Sequence, residues 1–210
     1  MLAFIILIGG RSNRFGTDKC FFLFNQKSLL DYQLEILSKF PYDIFLIANS
    51  KKQVQDCFNK INYEKITAFI LDDYDLLRDP QIRTPLIGIY SALKELKELG
   101  YKKSFVLPCD LPFIRYNVIE MFISNCKTYD CCIPQWKNGF LEPLFAIYPV
   151  KKAYTTSSLN LKKGNYKLSN ILSQDWKTHF ISIEEEIKKI DPELLTFKNI
   201  NNPEDLNALN

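Results

Sequence analysis

Short apolar runs that alternate with helix-like segments are the feature that most constrains how this chain can fold. Each run is continuous rather than interrupted by polar residues, which is typical of strands covered on both faces. The runs lie at residues 3–8, 43–48, 67–71, 104–107, 130–133 and 144–148. Helix-like patterns lie between them, at residues 28–40, 85–100 and 117–126. This alternation predicts a three-layer α/β fold with a mainly parallel central sheet and right-handed crossovers.

The length of the chain favours one domain. Its 210 residues suffice for one sizeable core and are few for two full domains. We therefore expect a single domain over residues 1–210, whose last third, about 150–210, is less regular and wraps back onto the sheet.

Charge and hydropathy exclude several classes of protein. The net charge of +3 does not favour binding to nucleic acid or to a membrane surface, for which a basic block is usual. The apolar N-terminal run lacks the basic leading region and the cleavage site of a targeting signal, and it is too short to span a bilayer. We therefore expect a cytoplasmic protein.

The cysteines and the single histidine restrict the metal chemistry. Six cysteines include no C-x-x-C pair, so we expect reduced and mostly buried thiols. His179 is the only histidine, which argues against a histidine metal site and against a Ser-His-Asp triad. Any metal should then have oxygen ligands, as a hard ion such as magnesium does.

Polar residues follow each of the first four main predicted strands. Open parallel sheets bind their ligands beyond the carboxyl ends of the strands, so these residues should meet at one edge. They are the glycine segment after the first strand, Asn49 after the second, Asp72 and Asp73 after the third, and Asp110 after the fourth. The pattern predicts a ligand site at that edge.

The segment "LIGGRSNRFGTDK" (residues 7–19) contains three of the seven glycines, interleaved with Arg11, Arg14 and Lys19. It is neither a Walker A loop nor a G-x-G-x-x-G dinucleotide fingerprint. A glycine-rich turn after a strand offers backbone amides to phosphate oxygens, and Arg14 and Lys19 would add charge. We favour an anion site over a solvated turn with incidental cations.

Asp110 stands between two prolines in "VLPCDLP", at the end of a buried strand. The prolines restrict the local backbone, and a carboxylate there suits a magnesium ion that bridges phosphate oxygens. The alternative is a carboxylate that caps the following helix near Arg115. The position at the strand end favours the metal.

Two later segments are weak signals when taken alone. "NGFLEPLFAIY" places Glu142 at the mouth of another strand, and "FKNINNPEDLNAL" supplies Asn199 and Asn201. A helix cap by Asn202, followed by Pro203, would fully explain the second segment.

Five segments together resemble the molybdenum cofactor guanylyltransferases, a family of nucleotidyltransferases with a Rossmann-like fold. They are "LIGGRSNRFGTDK", "TPLIGIYSAL", "LPCDLP", "LEPLFAIY" and "FKNINNPEDL", which span residues 3 to about 206. The first is shared by the wider nucleotidyltransferase group, and the last two narrow the resemblance to the guanylyl branch. The resemblance implies that GMP is transferred from GTP to molybdopterin with Mg²⁺ as cofactor. Molybdenum cofactor insertion proteins or apoenzymes would receive the product.

The residue patterns and the resemblance together imply roles for individual residues. Residues 1–115 would form the nucleotide-binding half and residues 116–210 the acceptor-binding half. Catalytic roles fall to Lys19, Arg14 and Asp110, and Asp110 would also bind the metal. The nucleotide would be bound by Leu7, Ile8, Gly9, Gly10, Lys19, Asn49, Asp73 and Asp110. The acceptor would be bound by Glu142, Asn199 and Asn201.

Three departures from the family pattern bear on the choice of base. Ile8 replaces an alanine, Thr84 replaces a glycine, and Ile47 replaces an asparagine, which leaves Asn49 as the nearest substitute. Two alternatives therefore stay open. One is a related transferase that uses CTP or another phosphate acceptor, such as a sugar phosphate. The other is a catalytically silent protein that binds and delivers the cofactor.

Overall fold

The computed structural model describes residues 1–9, 18–77, 79, 81–202 and 204–207. Gly10 and Arg14, which the sequence assigns to the site, lie outside the described residues. The strands are β1 (Leu2–Leu7), β2 (Leu23–Phe24), β3 (Lys27–Ser28), β4 (Asp43–Ala48), β5 (Ala68–Leu71), β6 (Lys103–Pro108), β7 (Cys131–Gln135), β8 (Ala146–Pro149) and β9 (Thr178–Ser182). The α-helices are α1 (Leu29–Leu37), α2 (Lys51–Lys60), α3 (Pro85–Glu98), α4 (Tyr116–Asn125), α5 (Val150–Lys163) and α6 (Glu204–Asn207).

Seven strands form the central sheet in the order β5-β4-β1-β6-β8-β7-β9. The first four run parallel, and β7 and β9 pair in parallel as well. Only β8 is antiparallel to its neighbours in this sheet. The predicted mainly parallel α/β sheet is therefore confirmed, and its four parallel strands end at one common edge.

Helices cover both faces of the sheet. Side chains of β1 alternate between the two sides: Phe4 and Ile6 pack in the cluster that includes α1 and α4, whereas Ile5 packs in the cluster that includes α3 and α5. All three side chains are fully buried. This explains why the strands read as continuous apolar runs, and it confirms the three layers.

Helix α3 begins and ends close to the predicted positions because its termini carry clear signals. Thr84 caps it by accepting a hydrogen bond from the Leu86 amide, and Pro85 occupies the first turn. Gly100 follows in a left-handed conformation with φ +82°, which ends the helix.

The prediction that residues 150–210 are less regular is wrong at its start. The helix α5 has 14 residues there, and its buried face includes small residues such as Ala153 and Ser157, which give a weak apolar stripe. The later part does wrap back, since β9 extends the sheet beside β7. Helix α2 and the β2–β3 hairpin were not predicted either. Of the residues in α2, only Gln53 and Cys57 are buried, so that helix has almost no apolar periodicity.

The six cysteines are reduced and buried, as expected. In the part of the chain that the structure describes, no helix is long and apolar enough to cross a membrane.

Candidate active site

The candidate site lies at the edge where β5, β4, β1 and β6 end. Asp72, Asn49, Gly9 and Asp110 follow these strands in that spatial order. A Cβ atom added to Gly9 would lie 3.4 Å from the Asn49 Cβ atom and 3.8 Å from the Asp72 Oδ2 atom. Residues from three separate strands thus meet around one glycine.

The centre of the site is a contact among Lys19, Asp110 and Asn201. The Lys19 Nζ atom lies 3.1 Å from the Asp110 Oδ2 atom and 3.1 Å from the Asn201 Oδ1 atom. The Lys19 and Asp110 side chains are 14% and 29% exposed, so the ion pair is mostly shielded but open to a ligand. Three site residues predicted from distant parts of the sequence are therefore neighbours.

Backbone hydrogen bonds hold the segment around Asp110 in place, in addition to the two prolines that flank it in the sequence. Its carbonyl accepts a hydrogen bond of 3.0 Å from the amide of Ile200, a residue that is fully buried against Leu29. The buried Gln33 side chain on α1 donates to the carbonyls of Pro108 and Leu111, at 2.8 Å each. The backbone that carries the Asp110 carboxylate is therefore rigid, and the C-terminal segment helps to hold it in place.

The geometry of Asp110 fits a bound magnesium ion. Its Oδ1 atom is buried and has no hydrogen-bond partner among the described residues. The described residues contain no group of three or more His, Cys, Asp or Glu side chains that could hold a metal by themselves. Mg²⁺ often binds through one or two carboxylates and completes its shell with substrate phosphates and water, so a single aspartate is a sufficient protein ligand.

Leu7, Ile8 and Gly9 shape the edge mainly through their backbone. The amides of Ile8 and Gly9 donate to the same Ile47 carbonyl, at 3.0 and 3.2 Å. Both amides are thus engaged within the protein, and they fix the end of β1 against β4. The Leu7 and Ile8 side chains are buried on opposite faces of the sheet, whereas Gly9 is exposed.

Of the two aspartates after β5, it is Asp72 that lies beside Gly9. The Asp73 carboxylate forms an ion pair of 2.6 Å with Lys94 on α3. Burial opposes ionisation of Asp73, but hydrogen bonds from Lys94 and the Asp75 amide outweigh it and lower the pKa of Asp73. The predicted nucleotide-binding residue Asp73 therefore points its charge at a helix, and its neighbour Asp72 occupies the edge.

Asp72 is a largely buried carboxylate close to helix α3. Burial raises the pKa of Asp72 to about 6, although a hydrogen bond from the Tyr74 hydroxyl and the charge of Arg83 both lower it. A Cβ atom added to Gly88 would lie 3.3 Å from the Asp72 Oδ1 atom, so this glycine lets α3 approach closely. The helix and the carboxylate together form one wall of the edge.

The raised pKa of Asp72 predicts a pH-dependent stability. The folded protein binds this proton more tightly than the unfolded chain does, so the free energy of unfolding should fall as the pH rises from about 4 to 6. Above pH 6 the ionised carboxylate costs about 3 kcal/mol. Asp72→Asn should therefore raise the melting temperature at pH 8 and change it little at pH 4. Thermal unfolding at the two pH values measures this, and an equal effect at both would contradict it.

The acceptor-side residues are placed less closely together. Glu142 lies in the connection from β7 to β8, at the same edge, and its Oε1 atom accepts a hydrogen bond of 2.6 Å from the Trp136 indole. Asn199 is exposed just before the buried Ile200. Of the three predicted acceptor residues, Asn201 is the one that contacts Lys19.

Two buried glutamines hold backbone segments at the site, and the sequence analysis did not identify either as a site residue. Gln33 lies on the stripe formed by Leu30, Leu34 and Leu37, and Gln53 lies one turn before Cys57. A polar residue on the buried face of a helix is the signal that could have identified both.

The mainly parallel sheet with helices on both faces is a Rossmann-like α/β fold. The sequence pattern of the MobA-like NTP transferase domain matches residues 4–178. The chain belongs to this family and is a nucleotidyltransferase.

Individual relatives are similar over nearly the whole chain. The "Probable molybdenum cofactor guanylyltransferase" of Methanosarcina mazei is 30% identical, and the alignment covers 96% of this chain and 87% of the relative. The protein of the same name from Methanocaldococcus jannaschii is 31% identical, with 98% and 97% covered. Among solved structures, molybdopterin-guanine dinucleotide biosynthesis protein A from Archaeoglobus fulgidus is 25% identical, with a TM-score of 0.75 and coverage of 99% and 96%.

Proposed function

We propose that this protein transfers GMP from GTP to the terminal phosphate of molybdopterin, or of its molybdenum-loaded form, and releases pyrophosphate. Relatives that align with almost the full chain carry the name molybdenum cofactor guanylyltransferase. The proposed product is a guanine dinucleotide form of the cofactor, which insertion proteins or apoenzymes would receive.

The transfer is a single displacement at phosphorus. An oxygen of the acceptor phosphate forms a bond to the α-phosphorus of the nucleotide, and the bond from that phosphorus to the bridging oxygen of the β-phosphate breaks. Pyrophosphate leaves with the electron pair. Since the acceptor oxygen is already anionic, no side chain has to remove a proton, and catalysis depends on alignment and on stabilisation of charge.

The contact of Lys19 with both Asp110 and Asn201 is the observation that carries the proposal. It joins a cation suited to the triphosphate, a carboxylate suited to the metal and an asparagine on the acceptor side within hydrogen-bond distance. When bound, Mg²⁺ would neutralise phosphate charge and make the α-phosphorus more electrophilic. Lys19, with Arg14, would stabilise the departing pyrophosphate, and Asp110 would hold the metal.

The nucleoside would lie at the other end of the edge. Gly9 is exposed between Asn49 and Asp72, and the amide and carboxylate there can donate and accept hydrogen bonds to a base or ribose. Asp73 would support the nucleoside site indirectly, through its ion pair with Lys94. Asn199, Asn201 and Glu142 would bind the acceptor.

Release of pyrophosphate from each of the four nucleoside triphosphates, with and without molybdopterin, tests the proposal. We expect Mg²⁺-dependent release from GTP only when molybdopterin is present. Preferred turnover of CTP would mean that the nucleotide substrate is CTP rather than GTP. A requirement for a sugar phosphate would mean that the acceptor is a sugar phosphate rather than molybdopterin. Tight binding without any release would favour a silent delivery protein and overturn the proposed reaction.

A further inference from the structure

Gln53 on α2 is a buried polar side chain with all of its partners inside the protein. It is 2% exposed. Its Nε2 atom donates to the Ile8 carbonyl at 2.9 Å and to the Asp18 Oδ2 atom at 3.1 Å, and its Oε1 atom accepts from the Asn49 amide at 3.0 Å. Both donors and the acceptor of the amide are therefore used, which is the arrangement that a buried amide requires.

The three partners of Gln53 belong to three different parts of the candidate site. Ile8 lies at the end of β1, just before Gly9. Asn49 lies at the end of β4. Asp18 directly precedes Lys19 and begins the 3-10 turn Lys19–Phe21, to which its carbonyl is bonded. One side chain thus joins the strand edge to the residue that precedes the proposed catalytic lysine.

We propose that Gln53 is a positioning residue for nucleotidyl transfer, which sets Lys19 relative to the edge formed by β1 and β4. The inference rests on the proposed role of Lys19. Gln53 touches no reacting group itself. It acts because Asp18 is fixed by its hydrogen bond to Gln53, and the backbone that carries Lys19 follows directly.

Helix α2 also provides a matched control. Gln55 has the same side chain, lies two residues further along the helix and is exposed. A substitution at this position changes the helix propensity in the same way as the substitution at Gln53 but removes no buried hydrogen bond. Any difference between the two positions therefore reports on the contacts of Gln53.

An exchange of amide and carboxylate tests the Gln53–Asp18 contact itself. Gln53→Glu keeps an acceptor for the Asn49 amide, but it places a second carboxylate against Asp18 and removes the donors to both Asp18 and the Ile8 carbonyl. Adding Asp18→Asn restores a donor from the other side, with the same net charge as the natural pair. Asp18→Asn alone leaves an oxygen that can accept from Gln53, so it should have little effect.

The kinetic experiment compares kcat and KM at pH 8 for Gln53→Met, Gln53→Glu, Asp18→Asn, Gln53→Glu with Asp18→Asn, and Gln55→Met. We expect Gln53→Met and Gln53→Glu to lower kcat/KM about 100-fold at a temperature well below their melting temperatures, mainly through kcat. The double variant should recover about tenfold of this loss. Asp18→Asn and Gln55→Met should stay within about twofold of the natural protein.

Hydrogen exchange of the Asn49 amide supplies a readout that does not depend on turnover. Exchange should become faster in Gln53→Met, and it should stay slow in Gln53→Glu and in Gln55→Met. The kinetic arm uses whichever nucleotide and acceptor the natural protein turns over, so a different substrate pair would overturn the proposed function without affecting this comparison. Normal kcat/KM in Gln53→Met, or an equal loss in Gln53→Glu and in the double variant, would overturn the positioning role.

Discussion

Replacing Asp110 with asparagine should lower the rate of pyrophosphate release by about a hundredfold to a thousandfold, while the protein stays folded. Asparagine has nearly the same shape, so the hydrogen bond from the Ile200 amide to the residue 110 carbonyl, and those from Gln33 to the neighbouring carbonyls of Pro108 and Leu111, should persist. The carboxylate charge is lost, and with it the anionic metal ligand and the ion pair with Lys19; the neutral asparagine oxygen can only accept a hydrogen bond from Lys19. Steady-state rates at saturating Mg²⁺ and the melting temperature measure the two effects separately.

Asp130→Asn is the matched control for Asp110. Asp130 also forms an ion pair, with Lys152 at 3.0 Å, but it precedes β7 and so lies at the opposite edge of the sheet. Its replacement should leave the rate within about twofold of the natural protein, because Asp130 lies away from the proposed site. Equal rates for Asp110→Asn and Asp130→Asn would remove Asp110 from the proposed mechanism.

Lys19→Met should reduce kcat about a hundredfold, which corresponds to about 3 kcal/mol of barrier. Methionine keeps most of the apolar stem but cannot stabilise charge on a departing pyrophosphate. Because Lys19 and Asp110 are in contact, the double variant Lys19→Met with Asp110→Asn should be less impaired than the product of the two single effects. A full multiplicative loss would mean that the two residues act independently.

Lys152→Met provides the control for Lys19, since Lys152 is the partner of Asp130 at the far edge. It should turn over at the natural rate. If Lys19→Met retains normal kcat and only raises KM, Lys19 binds the nucleotide without stabilising the transition state.

The location of the site could be predicted from the sequence because parallel strands share a direction. Once the apolar runs were assigned to parallel strands, the residues after them had to meet at one edge, and Gly9, Asn49 and Asp110 do so. The boundaries of β4, at residues 43–48, and of α3, with its proline start and glycine stop, followed from equally local signals.

Which of Asp72 and Asp73 lies beside Gly9 could not be predicted from the sequence. Both carboxylates lie against α3, and the sequence does not indicate which of the two approaches Gly9 and which pairs with a lysine of the helix. Only the packing of Gly88 and Lys94 decides between them, and α3 is brought there by the tertiary fold.

The contact of Lys19 with Asn201 could not be predicted from local sequence patterns either. The two residues are 182 positions apart, and they meet because Ile200 is buried against Leu29 and bonded to Asp110. The resemblance to a family placed both residues in one active site, but it did not indicate that they touch. The roles of Gln33 and Gln53 were missed because neither belongs to a motif.

The most direct test of the central claim follows the α-phosphate of GTP. The natural protein, given GTP labelled at the α-phosphorus together with molybdopterin and Mg²⁺, should transfer the label to the pterin product, while label at the γ-phosphorus should appear only in pyrophosphate. Asp110→Asn should transfer almost none. Label that stays in the nucleotide with the natural protein, or transfer that is unchanged in Asp110→Asn, would contradict the account.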